Sequence, residues 1–141
     1  MMDSIAFKTL ERPRSPNTYL LAPEALCENA QPDQISDIMT LAPETLFQAV
    51  SDVIAGEKNW AIEESDPARG MIHFVTTSRL MRYKDDVDVL ILPGDSGDPT
   101  NGLASRLAIY SRSRVGHSDL GVNAKRVKYM LECLNQMQVR C

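Results

Sequence analysis

The hydrophobic period of this chain changes twice, and that change restricts its fold more than any other feature. In "APETLFQAVSDVIAGEKN" the residues Leu46, Ala49, Val50 and Val53 keep i, i+3, i+4, i+7 spacing, with Phe47 and Ile54 widening the stripe. Pro43 suits a first helical turn, where its missing N–H costs nothing, and Gly56 supplies a stop. The pattern predicts a helix near 43–55. From Trp60 the period becomes two. "WAIEES", "MIHFVTTSRL", "DVDVLIL" and "LASRLAIYSRSRV" each alternate, and "DPARG", "MRYKD" and "PGDSGDPTNG" separate them as turn-forming segments. Then "GVNAKRVKYMLECLNQM" restores helical spacing at Val127, Met130, Leu131 and Leu134, predicting a helix near 121–136.

Helix, four short strands within 59–115, helix is the order of an α+β fold. The expected architecture is an antiparallel four-stranded meander covered on one face by an N-terminal and a C-terminal helix. Residues 35–41, "ISDIMTL", are β-compatible and would make a fifth, edge strand. Residues 1–34 hold Pro13, Pro16, Pro23 and Pro32, which forbid a long helix, so an extended arm on the surface is expected there. Residues 35–141 then form a single domain, a size at which one core can be buried.

Composition excludes more than it assigns. A formal net charge of −4 gives no reason to expect nucleic-acid binding, and no apolar run approaches the length of a membrane span. Cys27, Cys133 and Cys141 are odd in number and far apart, which is neither a disulfide framework nor a zinc site. No secretory signal follows the start, so the chain reads as a reduced, cytoplasmic protein. The charge is unevenly spread: residues 1–102 carry 8 Lys/Arg against 17 Asp/Glu, and residues 103–141 carry 7 against 2. The late basic segment either meets an anionic partner or faces the chain's own earlier acids.

Polar residues concentrate in "YSRSRVGHSDLGVNAKRV", between the last strand and the last helix. That run, with the earlier "SRLMRYKDDVDVLI", resembles the bacterial and plastid family catalogued as domain of unknown function 1499. The family's S-R-x-x-x-x-x-x-D-D-V segment matches Ser78, Arg79, Asp85, Asp86 and Val87. Its S-R-V-G-x-S-D-L-G-V-N segment matches Ser113, Arg114, Val115, Gly116, Ser118, Asp119, Leu120, Gly121, Val122 and Asn123. The resemblance spans about residues 12 to 135. It departs at Thr18, where the family often has a cysteine after Pro-Asn. Family members are often exported or membrane-associated, and the resemblance implies no established activity.

A hairpin around residues 93–102 would bring Asp86 beside Arg112 and Asp88 beside Tyr110. The face away from the helices would then carry Arg79, Asp86, Asp88, Arg106, Arg112 and Arg114. This is a solvated charge ladder or, because arginine forks match carboxylate and phosphate geometry, an anion-binding face. His117, Ser118 and Asp119 are consecutive and so do not form a triad, which needs groups converging from separate elements. Ser118, Asp119 or Asn123 would instead cap the last helix. His73, mid-strand, reads as structural.

Candidate binding residues are therefore Arg79, Asp86, Arg112, Arg114, His117, Ser118, Asp119 and Asn123, with no metal site and no cofactor expected. The preferred function is a non-catalytic module holding an anionic small molecule or a protein partner, with room for weak self-association. The alternatives are a hydrolase using His117 or Asp119 with Arg79, Arg112 and Arg114, and an accessory structural subunit that docks through the Pro-containing arm.

Overall fold

A computed structural model of the chain describes residues 6–11, 18–24, 26–78, 82–94, 104–114 and 121–140, with the side chains of 138–140 left aside. The fold is α+β. Six strands form one sheet: β1 (Thr18–Ala22), β2 (Gln34–Ile35), β3 (Trp60–Asp66), β4 (Met71–Thr77), β5 (Lys84–Pro93) and β6 (Ser105–Ser113). Two helices, α1 (Pro43–Ala55) and α2 (Val122–Arg140), accompany them. The sheet order is β2-β1-β6-β5-β4-β3. The four expected strands lie side by side as the antiparallel meander β3-β4-β5-β6, and α1 spans the expected residues, while α2 runs a further turn.

Two expectations give way. The segment expected to be a surface arm is extended, yet it supplies β1, which pairs antiparallel with β6 through Thr18↔Arg112 to Leu21↔Ile109. Leu20, Leu21 and Ala22 have no exposed surface. A short apolar run buried on both faces is how an interior strand reads, and the flanking prolines only mark its ends. The fifth strand is the second correction: it shrinks to Gln34–Ile35 and pairs with β1 in parallel, so the sheet is not wholly antiparallel. Residues beyond it contribute an isolated bridge, Met39↔Ser105.

Both helices lie on one face, as period and spacing predict. Leu46, Val50 and Ile54 of α1 and Val127, Met130 and Leu134 of α2 enclose Ile72, Phe74, Val87, Val89, Leu107 and Ile109. Burying such side chains contributes about 1.5–3 kcal/mol each. The opposite face is not bare. Phe7, on a single 3-10 turn, and Leu10 join Leu20, Ala22, Ala108 and Tyr110 in a second apolar cluster, with Leu26, Cys27 and Ala30 at its margin. The N-terminal segment therefore makes a third layer over β1 and β6. Among the described residues, no helix is long and apolar enough to cross a membrane.

Candidate functional site

Strand alternation sends the acidic run of β5 to opposite sides of the sheet. Val87 and Val89 face the helices; Asp86 and Asp88 face away. The register places Asp86 opposite Arg112 and Asp88 opposite Tyr110, as the hairpin reading requires. On the other flank His73 of β4 stands opposite Asp88. With Arg114, two residues beyond Arg112 in the chain, the groups His73, Asp86, Asp88, Arg112 and Arg114 meet on the face away from the helices.

Their pairing is diagonal. Arg114 grips Asp86 as a fork, Nε donating to Oδ2 at 2.8 Å and Nη2 to Oδ1 at 2.9 Å. Arg112 crosses to Asp88, its Nη2 lying 2.8 Å from Oδ2. That last contact is an ion pair without the alignment of a hydrogen bond, since Asp88 Oδ2 has no hydrogen-bond donor among the described residues. Diagonal neighbours on adjacent strands lie within reach of long side chains, and an arginine prefers the carboxylate it can approach end-on. The Arg112 guanidinium also lies over the Tyr110 ring, 5.0 Å from its centroid. Asp86 was expected within ion-pair reach of Arg112 or Arg79; among the described residues its arginine partner is Arg114, and Arg79 lies outside them.

His73 closes the cluster from below. It has no exposed surface. Its Nδ1 is 3.0 Å from Asp88 Oδ1 and its Nε2 is 3.3 Å from Asp86 Oδ1. Asp88 and Asp86 are themselves 1% and 8% exposed, whereas the arginine side chains keep 22% and 40% of their surface. This is a buried carboxylate floor with a guanidinium rim, not a solvated ladder.

Burial and charge set the protonation of this floor. The hydrogen bond with Asp88 lifts His73 above its ordinary 6.5; burial opposes this, the charges of Asp88 and Asp86 add to it, and Arg112 opposes it. Burial alone would raise Asp86, but the Arg114 hydrogen bonds and charge, helped by Arg112 and His73, hold it below its ordinary 3.8. The two groups act on stability in opposite directions. His73, raised in the folded state, stabilises fully below 6.5, and that contribution is lost as pH rises through its higher folded value. Asp86, depressed in the folded state, stabilises above 3.8, and that contribution is lost as pH falls through its lower folded value. Urea midpoints of the wild type should decline on both sides of a weakly acidic plateau. In His73→Gln the decline just above pH 6.5 should flatten; an unchanged alkaline limb would show that His73 does not carry it.

The helix-facing side of the same strands carries a second polar network. Asp85 takes Arg126 of α2, Nη2 to Oδ2 at 2.9 Å. Arg126 Nη1 also donates to Ser111 Oγ and to Asn123 Oδ1. Ser111 Oγ donates to Asn123 Oδ1, and Asn123 Nδ2 donates to Ser113 Oγ. Asn123 is fully buried in the first turn of α2, and these bonds tie the helix to β6. Gly121, at φ +81°, makes the left-handed bend just ahead.

Of the sequence-predicted residues, the structure brings Asp86, Arg112 and Arg114 together and sets Asn123 on the other side of the sheet. Arg79, His117, Ser118 and Asp119 lie outside the described residues. Sequence reasoning missed His73 and Asp88 as partners, and missed Asp85, Ser111 and Arg126 as the joint to α2. A concavity of about 240 Å³ between α1 and α2, lined by Asp52, Glu57, Tyr129, Cys133 and Met137 among others, holds none of the predicted residues. Among the described residues, no three or more of His, Cys, Asp and Glu gather so as to hold a metal ion.

The motif residues acquire structural meaning here. The paired aspartates divide between the two networks, Asp85 to α2 and Asp86 to Arg114. A family model described as "Protein of unknown function (DUF1499)" matches residues 10–134 of this sequence. No curated protein matches it.

Proposed function

This chain belongs to the DUF1499 family of proteins of unknown function, and from that premise we propose that it is a non-catalytic binding module for an anion, received at Arg112 and Arg114. The observation that carries this reading is the orientation of the two guanidinium groups. Both sit on one sheet face at alternate positions, each held from beneath by a buried carboxylate and each partly exposed. Arg114 uses Nε and Nη2 on Asp86, and its Nη1 has no acceptor among the described residues. Pre-set forks of this kind suit a phosphate, sulfate or carboxylate, because the ordering cost is met before the ligand arrives.

The chemistry present argues against turnover at this spot. His73 is the imidazole of the cluster, and with no exposed surface it cannot reach a substrate proton. The ligand is a small oxyanion or an acidic group on a protein partner. Calorimetric titration at low ionic strength with inorganic phosphate and with malonate tests the reading. We expect saturable binding by the wild type, weakened about tenfold or more in Arg114→Lys, which keeps the charge and loses the fork. Absence of saturable binding by either anion would refute it.

A further inference from the structure

Resting on that reading, we propose that His73 gates the anion site: an oxyanion binds at Arg112 and Arg114 with uptake of one proton by the His73 ring. The geometry of the ring carries the inference. Both nitrogens face carboxylate oxygens, Nδ1 toward Asp88 and Nε2 toward Asp86. A neutral imidazole offers one N–H and one lone pair, so in either tautomer a lone pair meets a carboxylate oxygen. Only the imidazolium presents a donor to both. Nε2 is, moreover, a fully buried polar atom without a hydrogen bond among the described residues, its 3.3 Å contact with Asp86 being out of line for one. A proton there would be held by the charge of Asp86 rather than by an aligned bond.

The charge count gives the proton its consequence. Two aspartates and two arginines cancel, so the cluster is neutral around a neutral ring and carries +1 around an imidazolium. Asp86 Oδ1 is the shared atom, since Arg114 Nη2 and His73 Nε2 both approach it. Protonating His73 places a positive charge 3.3 Å from that oxygen and reduces the hold of Asp86 on Arg114. The Arg114 side chain, held in place and 40% exposed, then offers more of its charge to a ligand at Nη1. The remaining neighbours are acidic or apolar. Glu64 of β3 stands opposite His73 in the register, and Glu63 acts on Arg114. Both acids oppose an anion at this face, so a proton on His73 offsets part of their repulsion. The N-terminal layer meets the adjoining Tyr110 with Phe7 and Leu10, which are apolar. The hydrogen bond with Asp88 already raises the ring above its ordinary 6.5.

Linkage is reciprocal: a ligand that favours the imidazolium raises the His73 pKa, and the proton tightens the ligand by the same factor. Sulfate is the suitable probe, because its own charge is constant across the range. On the full chain, the His73 ring resonances, identified as those missing from His73→Gln, are followed by NMR from pH 5.5 to 9 with and without sulfate. Sulfate affinity is measured at the same pH values. We expect sulfate to raise the His73 midpoint and its dissociation constant to rise about tenfold as the ring deprotonates, with a flat profile in His73→Gln. Should His73→Gln fail to fold, the ring resonances are those that remain in His117→Gln, and the sulfate-induced shift of that midpoint decides alone. Sulfate affinity that ignores pH, or a His73 midpoint that ignores sulfate, overturns the gate and leaves the anion site standing. Absence of sulfate binding at every pH overturns both.

Discussion

Asp88→Ala is expected to cost roughly 3–5 kcal/mol of folding free energy, because it leaves a buried imidazole and a partly buried guanidinium without their counter-charge. Asp88 is 1% exposed, receives the Arg112 guanidinium at 2.8 Å and faces His73 Nδ1 at 3.0 Å. Removing its carboxylate strands a guanidinium against the sheet and an imidazole inside it. A typical stability is only about 5–15 kcal/mol, so much of the margin would go. The melting temperature should fall by about 10 °C or more. Asp88→Asn should lose less, since an amide oxygen still accepts from His73. The comparison variant is Arg69→Ala, which removes a 3.6 Å ion pair with Asp66 at side chains 78% and 48% exposed. Exposed pairs contribute about 0–1 kcal/mol, so its melting temperature should barely move. Equal, small losses in Asp88→Ala and Arg69→Ala would mean that the buried network does not stabilise the fold.

Gly70→Ala should be the other severe change, and for a steric reason. Gly70 closes the turn between β3 and β4 at φ +69°, a left-handed conformation that costs a residue with a side chain about 1–3 kcal/mol. A Cβ there would sit 2.4 Å from the carbonyl oxygen of Ile91. The backbone cannot retreat easily, because Ile91 N–H donates to the Gly70 oxygen at 2.8 Å across the β4–β5 boundary. Either that bond breaks or β5 shifts. We expect a loss of roughly 3 kcal/mol or more in all, read as a fall of about 10 °C in melting temperature. Gly56→Ala serves as the control, since its Cβ would meet nothing closer than 3.5 Å and its φ is −79°. Comparable melting of the two variants would contradict the close approach at Gly70.

The meander and α1 were legible because their signals are local. Each strand alternates within itself, and the Asp86↔Arg112 register followed from two apolar patterns and a loop between them. Other features depend on where distant segments meet. Nothing in "TYLLA" says that it pairs with β6, nearly ninety residues on; the neighbouring prolines suggested an arm, and a run buried on both faces shows no alternation. His73 was legible as a structural residue in mid-strand, between Ile72 and Phe74. Its role needed the β4–β5 register, which sets it opposite Asp88. The exchange of partners, Arg114 for Arg112 at Asp86, depends on the diagonal reach of side chains across the sheet, and no spacing rule encodes that. The tie from Asn123 to Ser111 and Ser113 was hidden for a different reason: asparagine ahead of an amphipathic run ordinarily signals a cap.

The central claim is that a buried carboxylate floor presents Arg112 and Arg114 to an anion. It is tested most directly by following the arginine Nε–Hε NMR signals during a phosphate titration at pH 6. The account predicts saturable shifts at Arg112 and Arg114, while Arg126, held by Asp85, Ser111 and Asn123 on the helix side, stays fixed. Shifts of similar size at all three arginines, or at none, would contradict it.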